Sequence, residues 1–359
     1  MKNTIYIAAR FLTQPITGVQ RYGIELSKAI KKLENRYGYN FRFLAPKNII
    51  HSEIAQELNV KVIGSLRGQL WDQISLLKFL KKNNNPLVIN FSNTLPATYK
   101  NKIFTLHDII YAKYSVSFFY KKYWELIIPI ILKNSKFILT VSEFSRREIA
   151  EYYNIDVNKI FVIYNGVSER FKPRKVDNVE PYILGVSSIA YHKNFLKLIE
   201  AYSLLKDRSI KLYIVGSINN RIFGKESYKF LKYINNNKNI IFLNRVDDEK
   251  LIELYSNAIC FVYPSLYEGF GIPPLEAQAC GCPTLVSDIP VFKEIYKDSV
   301  LYFNPLDPYD IADKIEKLLN NASLRDYLIN KSLKNVKEFT WENSAKQFFN
   351  IINLIKDEI

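Results

Sequence analysis

Cysteine is scarce in this chain of 359 residues: only Cys260, Cys280 and Cys282 occur, all in the second half. Cys260 sits in an apolar run, and Cys280-Gly281-Cys282 lacks the two-residue spacer and second pair of a zinc site. Neither a disulfide framework nor a zinc centre is expected, and the three read as small buried hydrophobes of a reduced compartment. Long apolar runs are missing too. The longest, residues 126–132, is interrupted by Pro129 and falls far short of the roughly 20 residues that a spanning helix needs. The chain starts directly on strand-like residues 5–9, without the pattern of a signal peptide, so a cytoplasmic location is expected. No Asp-x-Asp motif occurs, and no His/Asp cluster has metal-ligand spacing, which predicts metal-independent chemistry. Helix-turn-helix, zinc-finger and RNA-stacking motifs are absent as well, so no nucleic-acid partner is expected.

Acidic residues are short in one place only. Residues 1–175 hold 28 Lys/Arg against 12 Asp/Glu, whereas the remainder holds 22 against 23, so the whole net charge of +15 resides in the first half. A composition bias towards Lys would not spare the second half. A surface this basic attracts anionic lipid headgroups or phosphorylated substrates. Two basic stretches also carry apolar side chains as interfacial segments do: Leu66, Leu70, Trp71, Ile74, Leu77 and Leu80 among Arg67, Lys78, Lys81 and Lys82, and the aromatic-lysine run 118–124. Core-facing helices with solvated basic faces would explain both equally well.

At 42.0 kDa the chain exceeds one comfortable core, which predicts two domains. Strand-like runs at 4–9, 40–45, 87–91, 102–106, 137–141 and 160–164 alternate with amphipathic stretches such as 22–33 and 70–80. The pattern restarts after a polar, proline-bearing segment at 173–180. Strands then recur at 182–186, 212–215, 240–243, 259–263, 284–287 and 301–303, with helices at 194–205, 248–257 and 308–319. Regular alternation implies parallel sheets with crossovers, hence two doubly wound α/β domains, with ligands beyond the carboxyl ends of the strands in the cleft where they face each other. Domains at 1–172 and 173–340 are expected. A closing helix at 341–359 follows, capped by Thr340, with Trp341, Ala345, Phe348, Phe349 and Ile352 on one face. It must dock on its own domain or cross back to the first.

The segment richest in chemistry is Ser265-Leu266-Tyr267-Glu268-Gly269-Phe270-Gly271-Ile272-Pro273-Pro274-Leu275-Glu276. It follows a buried-strand candidate, and the two prolines suit the first turn of a helix. Gly269 and Gly271 let backbone approach a ligand, and helix N-terminal amides favour an anion such as a diphosphate. Glu268 on the loop and Glu276 in the first helical turn can point at one bound molecule, their carboxylates accepting from vicinal hydroxyls. Singly, each is explained as a solvated loop charge or a helix-dipole acid. Together with the glycines and prolines they point to a site.

Two glutamates separated by seven residues around Gly-Phe-Gly resemble the nucleotide-sugar signature of the family 4 retaining glycosyltransferases, of GT-B fold. The resemblance spans nearly the whole chain. Thr17-Gly18-Val19-Gln20-Arg21-Tyr22, Leu106-His107-Asp108, Tyr164-Asn165-Gly166-Val167, His192-Lys193-Asn194, Asp307-Pro308 and Trp341-Glu342 follow in family order. The resemblance implies that Glu276 holds the donor ribose, Glu268 the transferred sugar, and Gly269, Phe270 and Gly271 the sugar and phosphate through their backbone. It implies that Lys193 neutralises the departing diphosphate, that His107 hydrogen-bonds the donor sugar by its carbonyl or ring, with Asp108 orienting it, and that Gly18 brings amides to diphosphate or acceptor. His192 stands where many relatives have arginine, so protonated His192, Arg245 or Arg221 would supply the second cation. The implied activity is retaining, metal-independent hexosyl transfer needing no cofactor beyond the nucleotide-sugar co-substrate. The pattern resembles bacterial mannosyltransferases of surface-polysaccharide (lipopolysaccharide or O-antigen) assembly, so GDP-mannose is the expected donor. The expected acceptor is a lipid-linked saccharide, with the protein peripheral on the anionic inner face of the cytoplasmic membrane. A UDP- or dTDP-sugar transferase of the same fold, or an inactive homologue acting as a scaffold, are the alternatives.

Overall fold

Short apolar strands alternating with helices build two parallel sheets in the computed structural model, which describes residues 4–114, 118–174, 176, 179–207, 209–218, 229–234 and 237–358. The first sheet comprises β1 (Thr4–Ala8), β2 (Asn40–Ala45), β3 (Lys61–Val62), β4 (Val88–Asn90), β5 (Lys102–Thr105), β6 (Phe137–Thr140) and β7 (Ile160–Val162), in the order β3-β2-β1-β4-β5-β6-β7. The second comprises β8 (Tyr182–Val186), β9 (Lys211–Val215), β10 (Ile240–Leu243), β11 (Cys260–Tyr263), β12 (Thr284–Ser287) and β13 (Leu301–Phe303), ordered β10-β9-β8-β11-β12-β13. Both run outward from their first strand in both directions, the doubly wound topology. The edge strand β3 lay outside the sequence expectation. It is two exposed residues whose pairing with Leu44 and Ala45, rather than an apolar pattern, creates it.

Every residue of β4, β5, β6, β11 and β12 is buried, as expected for strands covered on both faces. Lys102 in β5 is the costly exception. Its ammonium donates to the carbonyls of Pro96 (2.8 Å) and Ala97 (3.0 Å), and burial without a carboxylate brings its pKa down to about 7. All three cysteines are buried and free.

The chain divides into two compact units. One holds Met1–Ala112, Phe119–Gly166 and Thr340–Ile359, the other Lys113–Phe118 and Val167–Phe339. The last helix therefore belongs with the first unit. In this unit α1 (Gly18–Tyr37) and α6 (Trp341–Leu354) pack together, with Phe349 stacked on Tyr37 at 4.1 Å and Phe348 against Phe41 at 5.6 Å. Burying each phenylalanine contributes about 1.5–3 kcal/mol. Thr340 caps α6 by accepting from the Asn343 amide (3.1 Å). A side chain on Gly166 would meet the Trp341 backbone nitrogen at 2.3 Å, so only glycine fits where the chain passes α6.

Between these lie α2 (Phe118–Lys133), α3 (Phe195–Leu204), α4 (Asp248–Asn257) and α5 (Ile272–Ala279). The two basic-apolar stretches divide their apolar residues. Trp71, Leu80 and Trp124 enter the core, leaving Leu70, Ile74 and Phe118 exposed; further along α2, beyond the second stretch, Leu126 and Ile130 are exposed as well. Among the described residues no helix is long and apolar enough to cross a membrane.

Candidate active site

In the second sheet the connections leave β8 and β11 in opposite directions, so the topological switch point, where ligands bind in such sheets, lies beyond the carboxyl ends of these two neighbours. Both loops bear sequence-predicted residues. After β8 the chain runs to a single turn, Tyr191–Lys193, and then to Asn194, whose φ of 58° is left-handed. The Asn194 amide donates to the carbonyls of Pro264 (3.1 Å) and Pro305 (2.7 Å), and the Leu266 amide donates to the His192 carbonyl (2.7 Å). One asparagine thus ties together the loops that follow β8, β11 and β13. Its left-handed backbone and amide explain the residue after Lys193 in the motif, a positioning role that the string alone did not reveal.

This stitching brings Lys193 to the β11 loop. Its ammonium lies 2.5 Å from Glu268 Oε1 and 3.3 Å from the Tyr263 hydroxyl, while Ser265 Oγ donates to the same Glu268 oxygen at 2.7 Å. Glu268 is 8% exposed, which rules out a solvated loop charge. Burial alone would push its carboxyl up. The Lys193 charge and the hydrogen bonds from Lys193 and Ser265 outweigh burial and hold it below the ordinary glutamate range. An ammonium has three donors. With Glu268 and Tyr263 engaging two, Lys193 is held as an oriented cation with a donor to spare.

Gly271 closes the loop at φ 94°, the position before α5. Its carbonyl accepts from Tyr296, and a Cβ there would strike the Phe292 ring at 2.8 Å. Here glycine is dictated by backbone and neighbours alike. The Phe270 ring is buried against Phe339 (5.9 Å), so Phe270 presents backbone rather than side chain. Glu276 is the fifth residue of α5, in the second turn rather than the first as the sequence suggested, because the helix starts at Ile272. It is 5% exposed, with the Tyr255 hydroxyl 3.4 Å from Oε2. A buried acid past the first turn is not there to cap the helix dipole. Two ionisable carboxylates, a fixed ammonium and a helix start suit an anion flanked by hydroxyls.

The His192 ring lies in the same turn as Lys193. Burial first, then the Lys193 charge, lower its pKa to about 3, so the ring is neutral at physiological pH. Arg245 is exposed, and Arg221 lies outside the described residues.

Gly18 and His107 belong to the first unit. Gly18 opens α1 without a left-handed φ, and a Cβ there would meet nothing within 4 Å. The protein itself therefore does not demand glycine at this position. The His107 ring follows β5, buried, with Nε2 3.1 Å from the Phe91 carbonyl and in a T-shaped contact with Tyr22 (4.9 Å). An Nε2–H donating to that carbonyl leaves Nδ1 as an acceptor. Burial lowers the pKa to about 4, so the ring is neutral. The His107 carbonyl accepts from Thr140 (3.2 Å), and Asp108 accepts from the Ile110 amide (2.9 Å). Sequence reasoning missed a buried polar group beside β1 and β4, the adjacent strands at the first sheet's switch point. Arg10 Nε lies 2.9 Å from Asp72, and Arg10 donates to Thr94. Only co-location in the fold unites these residues, which stand far apart in the chain.

Two doubly wound units with a paired lysine and glutamate at the carboxyl edge of the second define the two-domain GT-B architecture of glycosyltransferases. A glycosyltransferase family 4 model matches residues 16–171, and a group 1 glycosyl transferase model matches 167–335. The O-antigen chain mannosyltransferase RfbU of Salmonella typhimurium is 33% identical over 269 residues, covering 74% of this chain and 75% of the relative. The chain belongs to the group 1, family 4 glycosyltransferases. The O-antigen chain mannosyltransferase B of Escherichia coli is 28% identical over 98% of this chain and all of its own. Among solved structures, Anabaena HepE in complex with UDP and glucose superposes with a TM-score of 0.79 at 14% identity, covering 98% of this chain and all of HepE.

Proposed function

We propose that this glycosyltransferase moves mannose from GDP-mannose, with retention of configuration, to a lipid-linked saccharide in O-antigen or related surface-polysaccharide assembly. The observation that carries the reading is the Lys193–Glu268 pair beside Gly271 and the start of α5, with Glu276 buried behind. The names of two O-antigen mannosyltransferase relatives support the sugar and the pathway.

In this reading Glu276 accepts from the ribose hydroxyls and Glu268 from a hydroxyl of the transferred hexose. Lys193 and the amides at the start of α5 meet the diphosphate, whose charge grows as the bond from the anomeric carbon to the phosphate oxygen breaks. The acceptor hydroxyl attacks from the face the phosphate leaves and gives its proton to a phosphate oxygen. Neutral His107 accepts a sugar hydroxyl at Nδ1. Gly18, with no Cβ, admits diphosphate or acceptor. The exposed Leu70, Ile74, Leu126 and Ile130, among lysines of the basic first half, support peripheral contact with an anionic leaflet.

A transfer assay with GDP-, UDP- and dTDP-sugars in excess EDTA tests the reading. Transfer from GDP-mannose giving an α-mannoside by NMR is expected. Activity restored only by magnesium or manganese would overturn metal independence, and transfer from UDP- but not GDP-sugars would overturn the donor.

A further inference from the structure

Beside the Lys193–Glu268 pair lies a group of rings that the proposed chemistry does not use. The segment Lys113–Phe118, although it comes from the first half of the sequence, belongs to the second unit. Tyr114 in it is half-buried at the middle of an aromatic group. Its ring centroid lies 6.3 Å from Tyr191, 5.9 Å from His192 and 5.9 Å from Tyr267, at interplanar angles of 34°, 44° and 41°. Tyr267 is buried and carries the Lys113 ammonium over its face at 4.7 Å. Tyr191, in contrast, is 55% exposed.

A bland packing role accounts for Tyr267 and for the half-buried side of Tyr114, but not for Tyr191. An exposed tyrosine adds nothing to a core, and Tyr191 is held at a tilt of 34° to Tyr114 rather than stacked on it. The sequence neighbours matter as well. Tyr191 stands two residues before Lys193, and Tyr267 immediately precedes Glu268. Tyr191 and Tyr267 are therefore fixed by the same two loops that fix the charged pair, within a residue or two of the groups that would hold the diphosphate and the transferred sugar, and Tyr114 joins them from the segment Lys113–Phe118. The cationic residue of the group is drawn onto Tyr267, and His192 is neutral. What remains on offer is an aromatic surface without net charge beside a polar, charged site. A pyranose ring matches it: its axial C–H face packs on an aromatic ring while its hydroxyls stay in water, and tyrosine supplies such contact at little entropic cost.

We propose that Tyr191 and Tyr114, held by Tyr267, form a platform on which the terminal sugar of the saccharide acceptor stacks. This rests on the transferase reading of the neighbouring pair and deepens it by placing the acceptor's neutral ring, where the basic first half addresses its anionic end. The platform explains why a tyrosine is left in solvent next to the motif lysine, and it makes Tyr191 a specificity-determining residue.

The test is saturation-transfer NMR with methyl α-mannoside, methyl α-glucoside and methyl α-galactoside on full-length protein saturated with GDP, using wild type, Tyr191→Ala and Tyr191→Trp. The expected result is saturation of ring C–H protons of at least one glycoside by wild type. Signal should fall about tenfold or more in Tyr191→Ala and return in Tyr191→Trp, with GDP affinity equal in all three. Because Tyr191 is exposed, melting temperature should not move, and Tyr114→Phe, which keeps the ring, should bind as wild type does. No saturation of any glycoside, or equal saturation in Tyr191→Ala, would overturn the platform. The readout needs no turnover, so failure of transfer in the EDTA assay, with glycoside contact intact, would indict the reaction and leave the platform standing. Loss of GDP affinity in Tyr191→Ala would overturn it in the other direction, by making the tyrosine part of the donor grip.

Discussion

Lys193 and Glu268 are a charged pair fixed in place at the site proposed for the donor. A lone lysine in a half-buried loop would move among rotamers. Here one carboxylate and one phenol fix it, leaving one N–H for the phosphate oxygens of the proposed donor. Lys193→Ala should fold, since its partners also have Ser265, yet lower kcat about a hundredfold or more, as loss of leaving-group stabilisation does. Single-turnover kinetics would separate that loss from binding. Gly18→Ala argues differently: with no atom within 4 Å of the added methyl, melting should be unchanged while activity falls, if the space belongs to a ligand. Unchanged activity would return Gly18 to an ordinary helix-start residue. His107 carries a pH signature. Its folded pKa, near 4, lies below the unfolded value of about 6.5. Between those values the unfolded chain takes up a proton that the folded chain refuses, so its stability is whole above about pH 6.5 and drains away as pH falls towards 4. His107→Gln should flatten that part of a melting-temperature curve.

At the scale of elements, the site hangs on two short loops and one helix start. Gly271 at φ 94° against Phe292 leaves no room for a methyl, so Gly271→Ala should cost about 1–3 kcal/mol in denaturant unfolding, through strain. Normal stability in that variant would show that the loop gives way readily. The strands were legible in sequence because β4, β5, β6, β11 and β12 are short, mostly apolar runs, each recurring after an amphipathic stretch. Strand β3 was not, because two exposed residues owe their place to β2. Glu276 was placed one turn early, since Pro273 and Pro274 marked the first turn correctly but Ile272 precedes them in the helix. The stitching by Asn194 and the Arg10–Asp72–Thr94 group were invisible, because hydrogen bonds across the fold leave no periodicity in the chain.

For the whole molecule, the sequence places the excess positive charge in one half and the glutamate signature in the other, and in the two units that division is softened: the first carries +11 and the second +4. A basic first half with exposed Leu70, Ile74, Leu126 and Ile130 should sediment with vesicles containing anionic lipid at low salt and be released by added salt. No sedimentation would argue against a membrane-borne acceptor. The C-terminal helix contributes the Phe348 and Phe349 core to the first unit, so its identity as a tail is only sequential. What the chain does with these parts depends on one grip. Isothermal titration of GDP-mannose into wild type, Glu276→Ala and Lys193→Ala measures it directly. Wild type should bind and both variants should lose about tenfold or more in affinity, with folding intact by thermal melting. Equal affinity in all three proteins would contradict a donor site built on Glu276, Glu268 and Lys193.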